Sequence, residues 1–447
     1  MPGKRPINAD LPSTEASRGA APKPAAEASA SPKPPAKPKR QRKQLPAALK
    51  AIAGLVLVAV VFLLAAILGG GRSEEGADAP APAPVPREVS RDDATPAAEA
   101  AEALGYPSFA TNNTVRVGGS DSAAIAAAVA LAVFPSATPA QRPVAVTLVD
   151  EDDWRGAIAA AVLMAEPLRA PLLVTTDGEL ADATAEALEA LAPAGNATSD
   201  GAQAFVVGDA GNPGDLTTTR VEGGAPAALA AAIAAKREEL FGKPPAHVVV
   251  ASETQPEFAI PAAAWAARSG DPVLFASAKR LPAATAKALR RHPEVPVYVL
   301  GPSSAISSDV IREIAKIGPR VRRVSGEDPV ANAIALSRYA SGGFGWNVND
   351  PGHGFVLARS DTPLAAVVAA PLSASGTWGP LLLSDDGDTL PRALREYMLD
   401  VKPGYTTDPT RAFYNHVWVI GDQEAIAVNQ QAEIDQLAEL ARIGSQP

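Results

Sequence analysis

Val115-Arg116-Val117-Gly118-Gly119 has two near copies further along the chain, Thr219-Arg220-Val221-Glu222-Gly223-Gly224 and Arg322-Arg323-Val324-Ser325-Gly326. From Val117 to Val221 is 104 residues, and from Val221 to Val324 is 103. That period is too long for a solenoid unit and suits a module that closes its own core. The chain reads as three copies of one unit, so its function is something three similar units do together.

The second copy shows what the unit is. Its signals run in order: a short strand ending at Val221, an Ala-rich helix from Ala225 to Leu240, the strand His247–Ala251, a helix from Glu257 to Ser269, the strand Pro272–Phe275, a helix from Pro282 to Arg291, the strand Val297–Leu300 and a helix from Ser304 to Ile317. Strands alternating with helices of this length predict parallel βα units with helices on both faces of a sheet. Val144–Val149 and Gly354–Ala358 repeat the second strand, and Phe205-Val206-Val207-Gly208 and Val417-Trp418-Val419-Ile420-Gly421 repeat Tyr298-Val299-Leu300-Gly301. In the third copy, 341–354 and 401–415 read as longer loops rich in Gly, Pro and polar residues.

The first hundred residues are of another kind. Residues 1–50 hold 11 Lys/Arg against 3 Asp/Glu, and the rest of the chain holds 29 against 46. The Pro/Ala/Lys-rich composition of 1–46 buries too little apolar surface to fold, and we expect a disordered cytoplasmic tail rather than a nucleic-acid-binding arm. Residues 47–71 carry one charge, Lys50, which sits at the edge where it can snorkel. This span is long enough to cross roughly 30 Å of hydrocarbon. A basic flank before it and an acidic one after it put the N-terminus in the cytoplasm and the rest outside. The preceding tail is too long for a usual signal peptide, so an uncleaved anchor is expected. Residues 72–112, with Ala79-Pro80-Ala81-Pro82-Ala83-Pro84 at their centre, predict an extended stalk.

The succession of Arg-Val-x-Gly, strand, Ala-rich helix, Leu281-Pro282-Ala283-Ala284-Thr285, Val297-Tyr298-Val299-Leu300-Gly301 and Ala305-Ile306-Ser307-Ser308 resembles the type 2 cell-wall-binding repeat of bacterial surface proteins. The resemblance spans about residues 113–445, divided as 113–218, 219–320 and 321–447. It implies three tandem Rossmann-like lobes around a pseudo-threefold axis, holding the protein to the wall by non-covalent binding of an anionic polymer or glycan. Where the family shows Asp-Arg-Tyr after its glycine signal, the copies read Ser120-Asp121-Ser122, Ala225-Pro226 and Glu327-Asp328-Pro329, and the family's aspartate after the second strand is missing from all three. The resemblance therefore implies the scaffold more than the ligand specificity.

Candidate site residues follow from the repeat. Arg116, Arg220 and Arg323 occupy one place in each copy, where planar guanidinium groups could meet phosphate or carboxylate. The alternative is scaffolding, each arginine tying its strand end to an acid such as Asp121 or Asp328. Trp346, in Gly342-Gly343-Phe344-Gly345-Trp346-Asn347, is placed for stacking on a sugar ring; Trp154 and Trp378 read more as core anchors. Asp150-Glu151-Asp152-Asp153 follows a parallel strand, where α/β folds place ligands, but reads best as a solvated loop with Asp153 capping the next helix. Asp385-Asp386-Gly387-Asp388 lacks the spacing of a calcium loop.

Enzyme signals are poor. The chain has no cysteine, which removes disulfides, thiolate metal sites and a Cys nucleophile. Its four histidines show no metal-ligand spacing, and no nucleophile elbow, Walker loop or dinucleotide fingerprint is present. We expect no catalytic residues, no metal and no cofactor. The readings left open are a membrane-tethered wall-binding protein, an enzyme on wall glycan with its site between diverged lobes, and a small-solute receptor.

Overall fold

The computed structural model describes residues 109–375 and 379–443, all within the compact unit Arg87–Pro447. The tail, the apolar span 47–71 and nearly all of the stalk lie outside the described residues, as does Trp378. Among the described residues no helix is long and apolar enough to cross a membrane.

In chain order the first copy contains β1 (Phe109–Ala110), β2 (Thr114–Val117), α1 (Ser122–Val133), β3 (Val146–Asp150), α2 (Trp154–Ala160), β4 (Leu172–Thr176), β5 (Glu179–Leu180), α3 (Asp182–Leu191) and β6 (Ala204–Val207). The second contains β7 (Thr218–Val221), α4 (Pro226–Phe241), β8 (Val248–Ser252), α5 (Pro256–Ala259), α6 (Pro261–Ser269), β9 (Val273–Ala276), α7 (Ala283–Leu289), β10 (Val297–Leu300) and α8 (Ser308–Ala315). The third contains β11 (Val321–Val324), α9 (Pro329–Arg338), β12 (Gly354–Arg359), α10 (Pro363–Val367), α11 (Ala370–Ala374), β13 (Leu381–Ser384), α12 (Arg392–Asp400), β14 (Gly404–Tyr405), β15 (His416–Ile420), α13 (Val428–Ala438) and β16 (Ala441–Arg442).

The fold is α/β with parallel sheets, as the alternation of signals predicts. Three sheets share one strand order: β7-β6-β3-β4, β11-β10-β8-β9 and β2-β15-β12-β13. Every pairing in these runs is parallel; the two-residue strands β5 and β1 add antiparallel edges to the first and third. The central strands are buried on both faces, which is why they read as unbroken Val/Leu/Phe runs.

The sheets are out of phase with the sequence repeat. β7 opens the second copy yet forms the edge of the first sheet, and β11 opens the third copy yet closes the second sheet. The third sheet is completed by β2, from the start of the chain, with Val419 opposite Arg116. Each copy thus hands its first strand to the sheet before it, and the last sheet receives the strand that the first copy has to spare.

The helix predicted over Glu257–Ser269 divides into α5 and α6 at Pro261, whose missing N–H cannot continue the ladder. The corresponding helices break at the same place: a 3-10 turn Ala161–Met164 follows α2, and α11 follows α10. These broken helices pack on one another across the copies, α6 against α11 and against the 161–164 turn, and α10 against α2. Their composition follows from that crowding. Ala159, Ala160, Ala263, Ala264, Ala366 and Ala370 are all buried, and small side chains let three helices from three copies approach closely.

Candidate functional site

The three repeated arginines have one common job. Arg220 lies opposite Val206, Arg323 opposite Val299 and Arg116 opposite Val419, two residues before Gly208, Gly301 and Gly421. Those glycines have φ of +56°, +107° and +93° and turn the chain off the end of the sheet. The turn aims the glycine carbonyl at the neighbouring arginine. Arg220 Nη1 donates to Gly208 O at 2.6 Å, Arg323 Nη1 to Gly301 O at 2.6 Å and Arg116 Nη1 to Gly421 O at 2.9 Å. The partners are backbone carbonyls and not Asp121 or Asp328. Those two acids cap helices, accepting from Ala124 N and Ala331 N.

The arginines differ in what else they reach. Arg116 is buried, with Nε on Gln431, Nη1 also on Asp422 O and Nη2 on Ile426 O. Burial lowers its pKa to about 10, with Asp422 opposing that shift. It has no surface from which to meet a polymer. Arg323 is half-buried and adds Ile306 O. Arg220 is exposed and adds only Ala210 O at 3.2 Å. In the other two copies α8 and α13 follow the glycine turn, whereas loop 209–217 stands in their place beside Arg220.

That loop borders a cleft of about 580 Å³ at the carboxyl ends of β3, β6 and β7. It is lined by Asp150, Asp152, Asp153, Asp209 and Glu222, with Arg220, Gly223 and Gly224. Ligands in parallel α/β sheets sit in this crevice. Asp150 Oδ1 accepts from Asp152 N and Asp153 Oδ1 from Gly156 N at 2.8 Å, so Asp153 is the cap of α2. Burial pushes the Asp153 carboxyl up, against the hydrogen bond from Gly156. A cleft with five carboxylates and one guanidinium favours hydroxyl and amino groups of a ligand and repels bare anions except at Arg220. Among the described residues no three His, Asp or Glu side chains converge as a metal site requires. The Asp386 carboxylate likewise serves its own turn, accepting from Asp388 N and Thr389 N.

Trp346 is only partly presented to solvent. It is half-buried, edge-on to Trp265 at 5.6 Å between ring centroids. The glycine-rich loop that carries it folds onto the second copy: Tyr298 OH donates to Ser341 O, Tyr298 stacks on Phe344 at 3.8 Å, and His247 Nε2 lies 2.9 Å from Gly342 O. The other ring nitrogen of His247 meets Asp271 Oδ2 at 3.0 Å, and Trp265 Nε1 donates to the same oxygen. Trp154 is also half-buried, edge-on to Phe275 under the Arg155 guanidinium.

Both His247 nitrogens face acceptors, so the imidazolium fits this site better than the neutral ring. The hydrogen bond to Asp271 raises its pKa above the ordinary 6.5, with burial opposing. Arg237, which donates to Gly270 O, is the nearby cation on the Asp271 side. A raised folded-state pKa contributes stability that is complete below about pH 6.5 and is lost as pH rises through the folded value. The melting midpoint is therefore expected to fall as pH rises above about 6.5, and His247→Gln to flatten that slope. An unchanged slope in the variant would show that His247 is not the titrating group.

The residues missed by pattern reading are those paired across the fold. Asp271, Asn332 and Asn415 are buried polar groups, and Phe413 and Tyr414 are exposed aromatics. Only the unusual length of loop 401–415 pointed to the last two.

Comparison with known proteins comes to the second copy first. Residues 220–311 match the family model described as Cell wall binding domain 2 (CWB2). The match starts at Arg220 of β7, so the family unit follows the sequence repeat and not the sheet. Among solved structures, Cwp8 from Clostridium difficile matches with a TM-score of 0.57 at 19% identity, over 73% of this chain and 52% of that one. Cwp6 from Clostridium difficile matches with a TM-score of 0.58 at 18% identity, over 73% of this chain and 47% of that one. The chain thus spans about half the length of these structures, and at such identity the likeness is one of fold. No curated protein matches the sequence.

Proposed function

We propose that three copies of the unit, related by a pseudo-threefold axis, bind a cell-wall polymer non-covalently and without catalysis, outside the cell. The observation that carries this reading is the match of residues 220–311 to Cell wall binding domain 2. The same fold in two clostridial structures and the three-times-repeated strand order support it. In this reading residues 47–71 anchor the chain in the membrane, 72–112 space the module away from it, and 113–218, 219–320 and 321–447 are the binding repeats. The cleft at Arg220 takes hydroxyl or amino groups of the polymer on its carboxylates, while Arg220 takes a phosphate or carboxylate. Weak contacts on several copies add through avidity.

The test is sedimentation of the full chain with purified bacterial cell walls. Retention at low salt, lost when acid extraction strips the anionic polymers from the walls, is the expected result. Equal retention on stripped walls would move the target to the underlying glycan, and no retention at low salt would end the reading. Release of soluble sugar during the incubation would overturn its non-catalytic part.

A further inference from the structure

The third copy carries an insertion with unusual chemistry. Residues 401–415 join α12 to β15, where 290–296 and 192–203 suffice in the other copies, and neither shorter connection contains Phe, Tyr or Trp. Phe413 is 71% and Tyr414 58% exposed. Among the described residues the other large exposed apolar side chains are Leu399, Val428 and Ile443. Leu399 lies at the end of α12 just before the insertion, and Ile443 follows β16, which pairs with β14 inside it. Leu399, Phe413, Tyr414 and Ile443 therefore lie in or beside the insertion, while Val428 opens α13 beyond the carboxyl end of β15.

The insertion is braced. Asn415 is 1% exposed; its Oδ1 accepts from Gly352 N at 2.8 Å and His353 N at 3.1 Å, and its Nδ2 donates to Val401 O at 2.8 Å. One side chain thus holds the base of the loop to its own start and to the 352–353 segment. Phe413 is supported from below: a Cβ on Gly352 would lie 2.9 Å from Phe413 Cβ and 3.1 Å from its Cγ. Tyr414 OH donates to Pro409 O, so its ring lies against the 3-10 turn Pro409–Arg411. Asp408 caps that turn through Thr410 N. Arg411, at its end, is exposed and has no side-chain partner among the described residues.

We propose that Phe413, Tyr414 and Arg411 form a binding platform for an anionic glycan: rings for the apolar faces of sugars, and a guanidinium for a phosphate or carboxylate on the same chain. This rests on the wall-binding reading and adds a second contact site, distinct from the cleft at Arg220. Charge decides between occupants. Residues 401–415 hold Lys402 and Arg411 against Asp408 alone, so a symmetric dimer through this patch would set cation against cation, whereas an anionic chain meets complementary charge. Fixed aromatic side chains bind at low ordering cost, which is what a braced loop supplies.

The experiment compares the full chain with Phe413→Ala/Tyr414→Ala and with Arg411→Ala. It uses purified walls and the polysaccharide released from them, with melting curves as a folding control. The expected result is unchanged melting, binding about tenfold weaker or worse in the aromatic variant, and a flatter salt dependence in Arg411→Ala. Equal binding by the aromatic variant and the parent overturns the platform and leaves the wall-binding reading intact. Loss of self-association in sedimentation velocity, with wall binding unchanged, assigns the patch to a second copy and overturns the glycan. A parent chain that does not bind walls removes the wider reading, and the platform with it. If the aromatic variant melts lower, Phe413→Leu/Tyr414→Leu keeps apolar bulk and must still bind weakly, because stacking needs the flat ring.

Discussion

Arg116→Ala is expected to be the most damaging arginine substitution in the described fold, lowering stability by about 3–5 kcal/mol. The side chain is 2% exposed and donates to Gln431, Gly421 O, Asp422 O and Ile426 O. Its removal leaves those acceptors buried without a donor, and each such loss costs about 1–3 kcal/mol. It also removes the side-chain tie between β2 and the turn after β15, although the backbone ladder between the two strands and the bonds of Asn113 and Thr114 to Asp435 and Gln431 remain. Arg220→Ala removes the equivalent bond to Gly208 O in an exposed setting, where water replaces the lost donor, and is expected to cost only about 1 kcal/mol. Urea unfolding of the two variants gives the comparison. If Arg116→Ala falls no further than Arg220→Ala, the buried arginine is not a fastener.

Gly223→Ala is the second large effect. A Cβ there would stand 2.2 Å from both the N and Cα of Leu229, inside the backbone of α4. Gly326 meets Ala331 C and Asn332 N at 2.2 Å, and Gly119 meets Ile125 N at 2.7 Å, always six residues on in at least one contact. The glycine after each Arg-Val strand therefore lets the following helix fold back over the turn. Backbone cannot rotate away as a side chain can, so Gly223→Ala is expected to cost about 3 kcal/mol or more. Gly224→Ala is the control: its φ is +67° and a Cβ would meet open space, so the backbone preference alone applies, about 1–2 kcal/mol. Thermal melting of both variants tests the order, and a milder effect at Gly223 than at Gly224 would contradict the close approach.

The glycines were legible because they recur with the arginines at a fixed period, yet their meaning was not. The residues Arg220-Val221-Glu222-Gly223 state that a strand ends and a tight turn begins. They do not state that the guanidinium caps a glycine carbonyl at the end of the neighbouring strand, because that strand, 12 residues back, becomes a neighbour only in the folded sheet, and the φ of Gly208 is set there. Trp346 shows the same gap. A glycine-rich loop suggested an exposed ring, but its fate depended on Trp265, Tyr298 and Phe344 lying where the loop could cover them. The break at Pro261 was open to reading, since a missing N–H acts within its own helix wherever that helix lies.

What the residues determined alone was periodic and local: three copies, alternating strand and helix, glycine turns, alanine on the helices that crowd together, and Asp153 as a cap. Each is settled within a few residues by backbone geometry or by burial on one face. What only the tertiary structure decided was the exchange of first strands between sheets, with β2 closing the last of them, and the division of one repeated arginine into a buried fastener and an exposed group beside a cleft. A parallel strand pairs with whichever edge is unfilled, and the sequence of a strand does not name its neighbour.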